Sequence, residues 1–97
     1  MKIVWSSQAQ SDLRAIREFI ARDSDYYASL QIERLISRVE HTARMPSKGH
    51  PVHEPVISGL REVHEGGYRI IYDIQDDEFQ IVTIVHMKQR DTRRRLR

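Results

Sequence analysis

The pair Gly66-Gly67 limits what this chain can fold into more than any other feature. It sits between two runs rich in Val, Ile and Tyr, and it supplies the positive φ angles that a two-residue hairpin turn needs. Counting outward from the turn sets Glu65 opposite Tyr68, His64 opposite Arg69, Val63 opposite Ile70, Glu62 opposite Ile71 and Arg61 opposite Tyr72. A second tight turn at Asp76-Asp77 pairs Gln75 with Glu78, Asp73 with Gln80, Ile71 with Val82 and Arg69 with Ile84, leaving His86 diagonal to Arg69. Side chains alternate between the faces of a sheet. One face of this antiparallel meander therefore collects Glu62, His64, Arg69 and His86. The other carries Val63, Tyr68, Ile70, Tyr72, Ile74, Phe79, Ile81 and Val85, an apolar surface that needs a cover.

The residues before it supply that cover. Lys2-Ile3-Val4-Trp5 is short and β-branched and suits an edge or added strand of the same sheet. Ser7 with Gln10 fits a capping box, and Ala9, Leu13, Ile16 and Ile20 follow at helical spacing, which predicts a first helix from about Ser7 to Arg22. Glu18 and Arg22 form an exposed i,i+4 pair on it. Asp23-Ser24-Asp25 ends this helix and caps a longer second one, whose stripe of Ala28, Ile32, Leu35, Ile36, Val39 and Ala43 runs to Met45-Pro46. So short a connection makes the two helices antiparallel neighbours. The segment from Pro46 to Gly59 holds all three prolines and reads as a loop, with a short extended piece around Val52 to Val56. The expected fold is α+β, in the order β-α-α-β-β-β, a small antiparallel sheet with a two-helix hairpin packed on one face.

At 97 residues the chain is read as one domain, residues 1–97, with room for a single modest core. It has no cysteine, so disulfides and thiolate chemistry are excluded and a reducing cytosol is permitted. No apolar run reaches the length of a membrane span, and neither signal peptide nor membrane contact is expected. Net charge is only +2, yet Lys88, Arg90, Arg93, Arg94, Arg95 and Arg97 face one acid, Asp91, over residues 88–97. That tail is either a docking feature for a polyanion or a solvated, frayed terminus.

Taken singly, the polar residues also have plain readings. Arg69 opposite His64, beside Glu62, is an ordinary cross-strand surface arrangement. His86 at a strand end is an ordinary structural histidine, and Glu54 an exposed loop carboxylate. His50 and His53 lie in a loop with no third ligand at fixed spacing, so no metal site and no cofactor are expected. Tyr26-Tyr27 are packing residues, or stacking platforms if exposed.

Trp5, Asp12-Leu13, Ile16 and Phe19-Ile20, then Gly49-His50-Pro51-Val52-His53-Glu54, Leu60-Arg61-Glu62, Tyr68-Arg69-Ile70-Ile71-Tyr72 and Ile84-Val85-His86 form an ordered set over nearly the whole chain. In content, spacing and length this set resembles the RelE/ParE toxins of bacterial type II toxin–antitoxin modules. The resemblance implies a small cytoplasmic toxin, held in a hetero-oligomer by a cognate antitoxin whose disordered segment folds on its surface. Leu13, Ile16, Ile20, Tyr26 and Tyr27 on the helix hairpin are the expected antitoxin-binding residues.

The superfamily divides by activity. RelE-like and YoeB-like members cut mRNA on the ribosome, whereas ParE-like members block DNA gyrase. Cleavage by a 2′-hydroxyl needs a base, an acid and cations for the phosphorane charge. By resemblance to YoeB-like enzymes these are Glu54 as base, Arg69 as phosphate clamp and His86 as acid. Two departures count against this: Met87 follows the histidine where those enzymes have a tyrosine, and no tyrosine follows Tyr72. The long helices and the Val-His element before a basic tail resemble ParE-like toxins. The expectation is therefore a gyrase inhibitor, with Arg61, Glu62, His64, Lys88, Arg90, Arg93 and Arg94 in target or substrate binding. The alternatives are a ribosome-dependent endoribonuclease and an inactive antitoxin-binding homologue.

Overall fold

The computed structural model describes residues 1–52 and 59–88. Its elements are β1 (Lys2–Trp5), α1 (Ser7–Ala21), α2 (Asp25–Arg44), a 3-10 helix (Pro46–Lys48), β2 (His50–Pro51), β3 (Arg61–Glu65), β4 (Tyr68–Gln75) and β5 (Glu78–His86). The strands form one sheet in the order β1-β5-β4-β3-β2, and the helix hairpin packs on one face. This is the expected α+β arrangement, with two additions. The first strand runs parallel to β5, so the sheet is mixed, and the extended piece of the loop is a two-residue strand at His50–Pro51, paired with β3. Among the described residues no helix is long and apolar enough to cross a membrane.

Both helices begin on a serine. Ser6, one residue earlier than expected, accepts the backbone N–H of Ala9, and Ser24 accepts that of Tyr27. Such a cap satisfies a donor that the helix cannot, and contributes about 1 kcal/mol. Gln10 reaches back to the Trp5 carbonyl. The expected Glu18–Arg22 pair is not formed; Arg22 lies over the Phe19 ring, 5.8 Å from its centre. Ala9, Ile16, Leu35, Val39 and Ala43 pack onto Tyr68, Ile70, Tyr72, Phe79, Ile81 and Ile84. The Tyr72 and Phe79 rings stack at 4.3 Å. Ile36 departs from the expected stripe and is partly exposed beside Ile3, Trp5 and Leu13, and Ile74 is likewise exposed near the end of β4.

The first hairpin has the expected register throughout, with Gly66 at φ 57° and Gly67 at φ 85°. The second turn places Asp76 and Asp77 at φ 51° and 59°, and Gln75 and Asp73 meet their expected partners. Beyond Tyr72 the expected register fails. Tyr72 faces Ile81 but Ile71 faces Thr83, so Val82 is an extra residue, a β-bulge, and every later pair moves by one. Arg69 lies opposite Val85, and His86 lies opposite Tyr68. A shift of one residue exchanges faces. Val85 thus leaves the helix side for a second apolar cluster with Val52, Leu60 and Ile71, and His86 leaves the face of Arg69.

The bulge sits where β1 stops pairing. Past Trp5, the edge of β5 is met by α1 and its cap: Ser6 N–H donates to the Ile81 carbonyl, the Ser6 hydroxyl donates to the Val82 carbonyl, and Asp12 accepts both the Thr83 hydroxyl and the Ile84 N–H. Buried backbone groups need partners, and here two side chains near the N-terminus supply them.

Candidate functional site

On the face of β3 and β4 turned away from the helices, Glu62 organises the polar residues. It is 8 % exposed. Its Oε2 accepts Arg69 Nε at 2.7 Å and lies 2.6 Å from Arg69 Nη2, while its Oε1 is 3.1 Å from His64 Nε2. The three residues share this face because Glu62 and His64 are two apart on β3 and His64 pairs with Arg69. A guanidinium with two of its three nitrogens on one oxygen of a buried carboxylate has part of its charge and donor capacity occupied. The carboxylate, in turn, is shared between an Arg and a His.

His86 is elsewhere. Its ring meets that of Tyr68 edge-on, centres 5.3 Å apart, and its Nδ1 accepts the Lys88 N–H at 3.1 Å. The expected cluster of Glu62, His64, Arg69 and His86 is therefore corrected to three residues, because the Val82 bulge turns His86 to the opposite face. Burial pushes the Tyr68 phenol above its ordinary value.

Arg61 has a structural task. Its Nη1 donates to the carbonyls of Gly49 at 2.6 Å and Ser47 at 3.3 Å, while the neighbouring Tyr72 hydroxyl donates to the Pro46 carbonyl. Together they fasten the segment after α2 to the sheet. Gly49 is required there, since a Cβ would come within 2.0 Å of the Tyr72 oxygen. Burial raises the Tyr72 pKa, against smaller lowering effects of the Gly49 backbone and the Arg61 charge. Glu54, His53, Arg90, Arg93 and Arg94 lie outside the described residues. Lys88 is described and exposed.

The residues expected to meet an antitoxin are not equally accessible. Ile16 is core, whereas Leu13 lines an apolar groove of about 570 Å³ with Ile3, Trp5 and Ile36. Tyr26 and Tyr27, 71 % and 63 % exposed, stand with Phe19 near the tip of the hairpin; Ile20 is partly buried against the core.

A family model describing the ParE toxin of type II toxin–antitoxin systems, parDE, matches residues 3–91. The chain belongs to the ParE toxin family. No curated protein matches its sequence. Among solved structures, this ParE-family toxin is similar to one from the chromosomal ParDE system of P. aeruginosa, with a TM-score of 0.75 and 20 % identity over 89 % of this chain and 95 % of that one. It is also similar to a YoeB/ParE toxin from Agrobacterium tumefaciens, with a TM-score of 0.63 and 17 % identity over 89 % and 98 % of the two chains. A third is in the RelBE2 toxin–antitoxin complex of Mycobacterium tuberculosis, with a TM-score of 0.61 and 19 % identity over 88 % of each. At these identities the likeness is one of fold.

Two residues of this ParE-family chain escape a reading of apolar periodicity. Asp12 falls three positions after Ala9 and four before Ile16, on the buried side of α1, and a lone acid on an apolar stripe is the signal that marks it. Ser6 marks itself less, since Ser7 beside it is an equally good cap by type.

Proposed function

We propose that this toxin arrests growth by binding DNA gyrase rather than by cutting RNA, and that a cognate antitoxin holds it inactive in the cytoplasm. The register of β5 is the observation that supports this. An RNA-cleaving site needs its phosphate clamp and its acid on one side of the scissile bond's surroundings. Here Arg69 and His86 are on opposite faces of the sheet, and Arg69 is engaged by Glu62. Contact between proteins asks for no such convergence; it asks for exposed side chains on a rigid frame, which Phe19, Tyr26 and Tyr27 on the hairpin provide. For the antitoxin, the outer edge of β1 and the groove beside Leu13 suit an extended or helical segment that orders on binding.

The test is a supercoiling assay with purified gyrase and toxin. Supercoiling should fall with toxin concentration and recover when the product of the neighbouring gene is added. Full supercoiling at large toxin excess would sink the proposal. Codon-positioned cuts in translated mRNA, lost in Arg69→Ala, would put the endoribonuclease in its place, and expression without growth arrest would point to an inactive homologue.

A further inference from the structure

Between the C-terminal half of α2 and the β2–β3 edge lies a cavity of about 330 Å³. Arg38 and His41 line it from α2, Lys48 from the 3-10 helix, His50 from β2 and His64 from β3. Met45 and Val63 give it an apolar wall. Among the described lining residues there is no carboxylate. Of the acids nearby, Glu65 is 3.4 Å from Arg38, and Glu62 is 3.1 Å from His64. Among the described residues, the side chains of His41, Lys48 and His50 have no hydrogen bond or ion pair.

Arg38 and Lys48 bring positive charge to a concave site, and the ring nitrogens of His41 and His50 add polar groups beside them, a set that suits an anion. The negative end of the α2 dipole lies at the same place, with Arg44 in the last turn. Attraction for an anion must therefore come from the side chains and not from the helix. A metal ion does not fit, since no group of three His, Asp or Glu among the described residues is close enough to share one.

We propose that this cavity binds a phosphomonoester. Its phosphate, with nearly two negative charges at neutral pH and several acceptor oxygens, lies against Lys48, His41 and His50. The cavity has room beyond the phosphate, and the organic part of the ligand runs along Met45 and Val63. Donors of this kind make short, charge-assisted bonds to phosphate oxygens.

An amide NMR titration of the whole chain with AMP, inorganic phosphate and adenosine tests this. AMP should shift the amides of residues 38–50 and 63–64 saturably, phosphate should compete, and adenosine should leave them unmoved. Lys48→Gln combined with His50→Gln, both at exposed positions, should weaken AMP roughly tenfold, about 1.4 kcal/mol. An unchanged amide spectrum away from the cavity would show that the variant is folded; His41→Gln is the substitute if it is not. Absence of shifts at millimolar AMP, saturation at other amides, or equal binding by the variant overturns the proposal. So does tighter binding of an oligonucleotide without terminal phosphates at these amides, which would make the cavity a phosphodiester groove.

Discussion

Replacing Asp12 should cost this fold more than any exposed substitution, and the amount can be worked from its partners. The residue is 5 % exposed. One carboxylate oxygen accepts the Thr83 hydroxyl at 2.5 Å and the Ile84 N–H at 2.9 Å, and the other accepts Gln8 Nε2 at 2.8 Å. Asp12→Ala strands two donors in the interior, at about 1–3 kcal/mol each. The Thr83 hydroxyl can turn toward another acceptor but the Ile84 N–H cannot, so the sum is about 2–4 kcal/mol. Total stability for a chain of this length is on the order of 5–15 kcal/mol, so the variant should be visibly destabilised. Equilibrium urea unfolding should show a lowered midpoint at unchanged slope. Asp12→Asn keeps one acceptor oxygen and should lose about half as much, and Thr83→Val about 1 kcal/mol. A double-mutant cycle between positions 12 and 83 should give a coupling of about 1 kcal/mol or more. If Asp12→Ala loses less than about 1 kcal/mol, Asp12 does not hold β5, and the bulge at Val82 is set by something else.

Glu62→Ala removes a partner of a guanidinium whose side chain is 14 % exposed; breaking such a pair costs about 3 kcal/mol, and a thermal melt with wild-type stability would show that Arg69 is held by other means. Alkaline pH offers a second check. Burial raises the pKa of both Tyr68 and Tyr72 above the ordinary value. Above about pH 10 the unfolded chain releases these protons while the folded chain keeps them, so the stability present below that pH is lost as pH rises past it. Urea midpoints should therefore fall between about pH 9 and about pH 11, and less steeply in Tyr72→Phe; equal slopes in variant and wild type would contradict the buried phenol.

Local chemistry determined most of what was legible in the sequence. Two adjacent glycines, and then two adjacent aspartates, take up left-handed backbone and so make hairpins whose first pairs can be counted from the turn. Helix stripes and the serine beside Asp25 are likewise local, and they gave both helices to within a residue or so at each end. The family likeness was visible because it is a set of such local pieces in order. The register of the last strand was not legible. From Ile81 to Val85 every residue is apolar or Thr, so alternation does not say which of them face the helices. What decides it is the edge of β5 after β1 ends, where Ser6 and Asp12, 76 and 72 positions from the groups they bind, satisfy the strand with Val82 bulged out. That choice parts His86 from Arg69 and leaves Glu62, His64 and Arg69 as the polar face. It also needed the fold to bring Arg38 and His41 of the second helix beside His64. Periodicity carries the content of each element, but the partner of a strand's last turn of hydrogen bonds is set by whatever the rest of the chain can place against it.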